Sequence, residues 1–289
     1  MEGSSPNTKR IVSDLREGPR NDWVVGRSIV AYGVRVGVRT NRAGVLDKML
    51  GVIPEIWKPS AQPAVERLFS LRAGATGPRG DRSFYELYED QQIVANSKEL
   101  GSVLEAFDSQ LKIYLAEKAR GRVFVHAGAV GWQGRAIIIP GRSMSGKTSL
   151  VAELVRAGAT YYSDEYAVLD RRGRLHPYTA PLAVRQPGSF KQKRCRAEEL
   201  GGGNGVKPLP VGLVVVSRYE PGRLWQPRRI SSGQAVMEML ANAVPARRKP
   251  GAVITTLSKA AAEAVALKSS RGEARETADL ILDYIIGVR

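Results

Sequence analysis

The sequence predicts an α/β protein in two parts, a smaller α+β module over residues 23–120 and a larger domain over residues 121–289. Short apolar runs of strand length alternate with segments whose apolar residues recur at helical spacing, an alternation typical of α/β folds. In the second part, the apolar run Ala136–Ile139 leads into a glycine-rich loop that is followed by a helical pattern. This order of strand, loop and helix predicts a tight loop at one edge of a sheet.

The overall composition is that of a globular protein. Of the 289 residues, 43% are hydrophobic and 25% are charged, which is ordinary for a soluble chain with a substantial core. No apolar run approaches the ~18 residues that a membrane span needs, and the amino terminus lacks the apolar core of a secretory signal. The single cysteine, Cys195, excludes an intrachain disulfide and a multi-cysteine zinc site. We therefore expect a cytoplasmic protein that does not enter a membrane.

The chain carries an excess of positive charge. Lysine and arginine total 44 against 28 acidic residues, a formal net charge of +16. Such a charge attracts anions, among them nucleotides, acidic peptides and nucleic acid. The short basic clusters lack the interleaved aromatic residues of a single-strand binding platform, so we expect a solvated basic surface and no dedicated nucleic-acid site. The clusters are Lys191–Arg194, Arg228–Arg229 and Arg247–Lys249.

The first part begins with a polar, charged segment, residues 1–22, which we expect to be disordered. The alternating pattern over Trp23–Arg39 predicts strands. Helices are predicted over Ala43–Gly51 and Ala64–Arg72, and the Gly- and Pro-containing stretch from Arg72 to Phe84 predicts an exposed loop. A strand pair and a long helix complete this part, with the turn at Glu89–Asp90 and the helix over Leu100–Arg120.

The second part opens with an apolar strand over Gly121–Val130, and further strands are predicted over residues 159–170 and Val211–Tyr219. Residues 186–210 are rich in glycine and cations, which predicts a mobile loop or lid. Three helices are predicted near the carboxy terminus, over Ser232–Ala243, Ala252–Ala266 and Glu273–Ile286.

The glycine-rich loop matches the pattern G-x-x-x-x-G-K-T from Gly141 to Thr148. Such a loop aims several backbone N–H groups at a phosphate, and only small side chains allow so close an approach. Lys147 would place a cation on the outer phosphates, and the Thr148 hydroxyl would bind Mg²⁺. A chance match in a turn is the alternative, but the flanking strand and helix favour nucleotide binding. The residues expected to contact the nucleotide are Gly141, Ser143, Ser145, Gly146, Lys147, Thr148 and Ser149.

Two carboxylates follow the next predicted strand. Asp164 and Glu165 lie sixteen and seventeen residues after Thr148, and a helix followed by a strand over this distance would return the chain to the edge that carries the loop. Beside a phosphate and Mg²⁺, one carboxylate can hold the metal while the other accepts a proton from an attacking hydroxyl. The alternative is that both acids lie in an exposed turn at a strand end.

His126 lies within an apolar strand, where two interpretations are equally open. It is either a core residue whose ring nitrogens are paired, or a group that orients a catalytic carboxylate or contacts phosphate.

The ordered set of VHAGAV, G-x-x-x-x-G-K-T, the helix LVAELVRAGA and the strand ending SDEYAVLD resembles the HPr kinase/phosphorylase family. The likeness is greatest to its shorter relatives, the HPr-kinase-like enzymes that phosphorylate small ribosomal peptides such as lasso peptides. It covers about Gly121 to Arg185. The resemblance implies a P-loop domain of the HPr kinase/PEP carboxykinase type, with a central mixed sheet and flanking helices.

The resemblance also implies roles for individual residues. ATP would lie on Gly141–Thr148, and Mg²⁺ would be held by Thr148 and Glu165. Asp164 would be the base that activates a Ser or Thr hydroxyl, with His126 beside it, and Arg185 could contact phosphate or substrate. Oligomers are common in this family, so a homo-oligomer is a further expectation.

Three positions depart from the family pattern. Met144 replaces a common glycine, the acidic pair is Asp-Glu instead of Asp-Asp, and Ala183 and Val184 stand where bifunctional members carry a glutamate before the arginine. We therefore expect a kinase without inferring the reverse reaction. Its acceptor would be a peptide or small protein, which the positive charge suggests is acidic. The alternatives are a nucleotide-dependent regulatory or binding protein and an NTPase without phosphotransfer.

Overall fold

The computed structural model describes residues 23–75, 84–142, 145–185 and 192–286. The expected disorder of residues 1–22 lies outside this part of the chain. The fold is mixed α/β, with mixed sheets and helices. It divides into two compact units, Met1–Arg120 and Gly121–Arg289. Among the described residues, no helix is long and apolar enough to cross a membrane.

The first unit is built on a six-stranded sheet in the order β3-β1-β2-β4-β5-β6. Strands β2 and β4 are parallel, and the other pairs are antiparallel. The strands are β1 (Val25–Ala31), β2 (Val34–Thr40), β3 (Lys58–Pro59), β4 (Arg67–Ala75), β5 (Phe84–Glu89) and β6 (Gln92–Ser97). Two helices, α1 (Ala43–Val52) and α2 (Leu100–Lys118), pack on this sheet, and Phe107 of α2 meets Phe69 of β4 edge to face.

The predicted helix over Ala64–Arg72 is wrong, because Arg67–Ala75 forms β4 in the middle of the sheet. Four consecutive residues of β4, from Leu68 to Leu71, are buried. A strand buried on both faces has no alternation of polar and apolar residues, so its apolar run cannot be told from a short helix. The predicted loop from Arg72 is wrong as far as Ala75, because these residues continue β4 and pair with β5. Residues 76–83 lie outside the described chain.

The second unit contains an eight-stranded sheet in the order β11-β10-β7-β8-β14-β16-β15, with β9 also paired to β7. Strand β8 is parallel to β14, which is parallel to β16, whereas β7 is antiparallel to both β8 and β9. The strands of this sheet are β7 (Arg122–Trp132), β8 (Arg135–Pro140), β9 (Thr160–Ser163), β10 (Tyr166–Asp170), β11 (Leu175–His176), β14 (Val211–Tyr219), β15 (Arg228–Arg229) and β16 (Val265–Arg271).

Helices cover both faces of the large sheet, each over its own apolar cluster. One face carries α3 (Lys147–Arg156) and α6 (Ala274–Ile286), and the other carries α4 (Ser232–Leu240) and α5 (Pro250–Ala262). Helix α3 approaches β7 closely: a Cβ on Gly128 would lie 2.6 Å from Val151 Cγ2, so only glycine allows this packing.

Two predictions in this unit are corrected. The predicted helix Ala252–Ala266 ends at Ala262, and the chain then forms β16. The alanine-rich sequence favours helix locally, but pairing with β14 decides the conformation. The predicted lid over residues 186–210 contains a strand, β13 (Gln192–Cys195), paired with β12 (Leu182–Arg185), and a 3₁₀ turn at Ala197–Leu200. Residues 186–191 lie outside the described chain.

The strand directions bring several strand ends to one edge. Since β8 and β9 are each antiparallel to β7, they point the same way, as do β14 and β16. The glycine-rich loop after β8 and the Asp164-Glu165 turn after β9 therefore lie at the same edge of the sheet, where ligands of α/β folds commonly bind.

Candidate functional site

The glycine-rich loop connects β8, which ends at Pro140, to α3, which begins at Lys147. Gly146 is the N-cap of α3 and has φ of 83°, in the left-handed region. Glycine adopts this conformation without strain, and a side chain would also collide with a neighbour, because a Cβ here would lie 2.5 Å from Arg271 Nη2. The loop therefore ends with the first backbone N–H groups of α3 at the edge of the sheet.

Lys147 is buried at the first position of α3, with 6% of its surface exposed. Its Nζ donates a hydrogen bond to the carbonyl oxygen of Arg142, at 2.7 Å. Burial lowers the pKa of Lys147 from 10.5 to about 8, although the negative charges of Asp164 and Glu165 oppose this shift. Lys147 is thus a largely protonated cation at neutral pH, held by the backbone of the loop.

Asp164 lies beside Thr148. The Thr148 hydroxyl donates to Asp164 Oδ2 at 3.0 Å, and Oδ1 lies 2.9 Å from the Tyr161 hydroxyl. Both carboxylate oxygens of Asp164 therefore have a hydroxyl partner. The contact joins the first turn of α3 to the end of β9.

Glu165 is held at the same turn through its backbone. Its N–H donates to Ser163 Oγ at 3.1 Å, and its carbonyl oxygen accepts from Ala127 N–H at 3.1 Å. Its carboxylate is close enough to Lys147 to oppose part of the lowering of the lysine pKa that burial causes. Glu165 is half-buried.

His126 is bonded to the first glycine of the loop at two points. Its Nδ1 lies 2.9 Å from the Gly141 carbonyl oxygen, and Gly141 N–H donates to the His126 carbonyl oxygen at 3.2 Å. Because a carbonyl oxygen can only accept, Nδ1 must carry the proton. Burial, and then the charge of Lys147, lower the pKa of His126, so the ring is neutral near pH 7. Through its two hydrogen bonds with Gly141, His126 anchors the start of the loop.

Arg271, at the end of β16, is a residue that sequence reasoning missed. It is 2% exposed, its Nη2 donates to the Gly146 carbonyl oxygen at 2.8 Å, and the Tyr219 ring lies 5.5 Å from its guanidinium carbon. The predicted helix Ala252–Ala266 covers the first two residues of β16, so the sequence analysis does not assign Arg271 to a strand. A signal was available: the apolar run Val265–Leu267 precedes Arg271 and Gly272, which is how a strand ends before a turn.

The other predicted loop residues are placed as follows. Ser145 is half-buried, and its Oγ is buried with no hydrogen-bond partner among the described residues. Ser149 is exposed on the first turn of α3. Ser143 lies outside the described residues, and Arg185 is the last residue of β12, with its side chain outside the described part.

The residues at this edge fit a phosphate with Mg²⁺. Ser145 Oγ is a buried polar atom that lacks a hydrogen-bond partner in the described chain. Burying such an atom costs free energy, and a ligand that bonded to it would remove this cost. No group of three or more His, Cys, Asp or Glu side chains forms a metal site within the described residues. The donors present are the Thr148 hydroxyl and two carboxylates, and Mg²⁺ is commonly held by one or two carboxylates together with substrate phosphates and water.

Comparison with protein-family models and with curated proteins finds no match to this chain.

Proposed function

We propose that the second unit is a P-loop domain of the HPr kinase/PEP carboxykinase type, and that the protein is an ATP-dependent kinase. It would transfer the γ-phosphate to a Ser or Thr hydroxyl of a peptide or small protein. The observation that carries the proposal is the 3.0 Å hydrogen bond from Thr148 to Asp164, next to the buried Lys147. It brings a candidate metal ligand, a candidate base and a candidate phosphate-binding cation to one edge of the sheet.

The proposed nucleotide site uses the start of α3. Backbone N–H groups at a helix amino terminus and the Lys147 ammonium both favour an anion, and together they suit the phosphates of ATP. Arg271 supports this arrangement because it holds the Gly146 carbonyl oxygen, and so the end of the loop, in place. His126 acts in the same way at Gly141.

The Mg²⁺ ligands in this proposal are Thr148 and Glu165. The ion would supply positive charge to the phosphates during transfer. Thr148 uses its hydroxyl proton in the bond to Asp164, which leaves its oxygen lone pairs for the metal.

Asp164 is the proposed base. A carboxylate offers about four lone-pair directions, and the contacts with Thr148 and Tyr161 use two of them. The remaining capacity would accept the proton of the acceptor hydroxyl as its oxygen bonds to the γ-phosphorus and ADP departs. The net charge of +16 favours an acidic acceptor.

Labelling with γ-labelled ATP tests the proposal directly. The protein is incubated with Mg²⁺, labelled ATP and the peptides encoded beside its gene, and the labelled residue is mapped. We expect Asp164→Asn to bind ATP within about twofold of wild type and to transfer at least about 100-fold more slowly, the loss typical of a removed base. Asp170→Asn is the matched control, because Asp170 pairs with His176 on β10 and β11, and its transfer rate should stay near that of wild type.

The same experiment separates the alternatives. Label that appears only as free phosphate would favour an NTPase or a nucleotide-dependent regulatory protein. The absence of a glutamate before Arg185, where Ala183 and Val184 stand, also suits the regulatory protein. Normal transfer by Asp164→Asn would show that another group is the base.

A further inference from the structure

Two consecutive tyrosines on β9 face opposite sides of the large sheet. Tyr161 is 1% exposed in the cluster beneath α3 and α6, and Tyr162 is 2% exposed in the cluster beneath α4 and α5. A buried phenol needs a partner for its hydroxyl. Tyr162 donates to the Lys207 carbonyl oxygen at 2.7 Å, whereas Tyr161 lies 2.9 Å from Asp164 Oδ1 and 2.8 Å from the Ala180 carbonyl oxygen.

The contacts of Asp164 fix the plane of its carboxylate. Thr148 donates to Oδ2 from the start of α3, and Tyr161 contacts Oδ1 from within the core. The terminal torsion of an aspartate side chain is soft and has a broad distribution. One contact would let the group rotate, but contacts on both oxygens hold it in one orientation.

Tyr161 is a rigid source for this contact. Its ring is packed among the buried side chains beneath α3, among them Val130, Ile137 and Leu182. Its single hydroxyl proton is shared between Asp164 and Ala180, so the hydroxyl is held from two directions. A phenylalanine would fill this apolar site as well, so the hydroxyl is the feature that packing leaves unexplained.

We propose that Tyr161 is a positioning residue that holds the Asp164 carboxylate toward Thr148 and the transferring phosphate. The inference rests on the proposed function, in which Asp164 is the base and Thr148 binds Mg²⁺. Tyr161 touches neither substrate nor metal in this proposal. Its hydroxyl sets the direction of Asp164, and through Asp164 the direction of the Thr148 hydroxyl.

The test compares Tyr161→Phe with Tyr162→Phe. Each variant removes one buried hydroxyl from β9 and its hydrogen bond to a backbone carbonyl oxygen, that of Ala180 or of Lys207. Tyr161→Phe also removes the contact with Asp164, so both thermal midpoints should fall, and that of Tyr161→Phe at least as far. Three quantities are measured: the Kd of a fluorescent ATP analogue with Mg²⁺ and without it, the γ-phosphate transfer or release rate at saturating ATP, and the KM for ATP.

We expect Tyr161→Phe to lower the rate at saturating ATP about 10- to 100-fold, because small misplacements of a reacting group have effects of this size. Its Mg²⁺-free Kd should stay within about twofold of wild type, since Lys147 and the loop are unchanged, and its KM for ATP with Mg²⁺ should rise only as far as the Mg²⁺ effect on binding shrinks. The tightening of nucleotide binding by Mg²⁺ should shrink about threefold or more, because the Thr148 hydroxyl is no longer oriented. Tyr162→Phe should leave the rate and the Mg²⁺ effect within about twofold of wild type.

Each outcome decides one claim. Tyr161→Phe with the wild-type rate and Mg²⁺ effect would overturn the positioning role, and so would equal losses in both variants, which would reflect stability alone. If the wild-type protein transfers no phosphate, the proposed kinase is refuted. If in that case the Mg²⁺ effect on nucleotide binding is still lost in Tyr161→Phe and kept in Tyr162→Phe, Tyr161 remains a positioning residue. A wild-type protein that neither transfers phosphate nor binds nucleotide would refute both.

Discussion

Positive charge is held differently in the two units. In the first unit, Arg67 of β4 forms ion pairs with Glu89 at 3.2 Å and Asp90 at 2.7 Å, and we call these three residues the paired cluster. In the second unit, Lys147 and Arg271, which we call the loop cations, donate to the carbonyl oxygens of Arg142 and Gly146. Within the described chain, neither loop cation forms an ion pair with a carboxylate.

The difference indicates which charges are structural. Ion pairing in the paired cluster satisfies its charges locally, and this is the usual arrangement for partly buried charges. A carbonyl dipole offsets the burial of a full charge only in part. The loop cations also lie at the amino terminus of α3, where the helix dipole favours negative charge. An anion at this position would complete their electrostatics, so we expect the loop to show its full stability only with a ligand bound.

The largest expected effect separates Lys147 from a paired lysine. Lys147→Met should weaken ATP binding at least about 100-fold, or about 2.7 kcal/mol, because it removes the cation from the phosphate site. Its thermal midpoint without nucleotide should be close to that of wild type, since the variant removes a desolvated charge. Calorimetric titration and thermal melts measure the two quantities.

The control is Lys112→Met in the first unit. Lys112 pairs with Asp108 at 2.9 Å, and their side chains are 14% and 9% exposed. Loss of this partner should destabilise the protein by about 1–3 kcal/mol, the cost of a poorly satisfied buried group, with no change in ATP affinity. Nucleotide affinity that falls equally in both variants would remove the distinction between the loop cations and paired charges.

A smaller effect is expected at Arg271. Arg271→Met should weaken ATP binding about tenfold, because the Gly146 carbonyl oxygen loses a charge-assisted hydrogen bond and the end of the loop loosens. Arg271→Lys keeps the charge without the planar fork, so its affinity should lie between those of wild type and Arg271→Met. Wild-type affinity in both variants, with only a lower thermal midpoint, would make Arg271 a packing residue of β16.

Structural features that depend on local sequence can be predicted further than features that depend on contacts between distant residues. The loop conformation depends on local chemistry, so Gly146 and the start of α3 at Lys147 follow from the motif itself. The approach of Asp164 to Thr148 requires only that a helix and a strand return the chain to the same edge. These features need no knowledge of the rest of the fold.

Other features depend on partners far away in the chain. Tyr161 and Tyr162 are chemically identical, and only the strand's orientation in the sheet decides which hydroxyl meets Asp164. A local signal marks the end of the strand that carries Arg271, but the place of this strand beside the loop is set by its pairing with β14, about fifty residues earlier. The predicted helix at β4 was wrong for a related reason, since burial on both faces removes the periodicity that identifies a strand.

The pH dependence of nucleotide binding is the smallest and most specific test of the loop cations. Lys147 has a pKa of about 8 without ligand, and a bound phosphate favours its protonated form. The affinity for ADP without Mg²⁺ should therefore fall about fourfold from pH 7.0 to pH 8.5, as the nucleotide-free lysine loses its proton.

Folding stability should change in the opposite sense. Between pH 8 and about 10, the unfolded chain keeps this proton while the folded one has lost it, so the contribution of Lys147 to stability rises with pH. Titration and denaturant melts across this range measure both trends, and Lys147→Met should abolish both. An ADP affinity that stays constant to pH 8.5 would mean that Lys147 does not meet the phosphates.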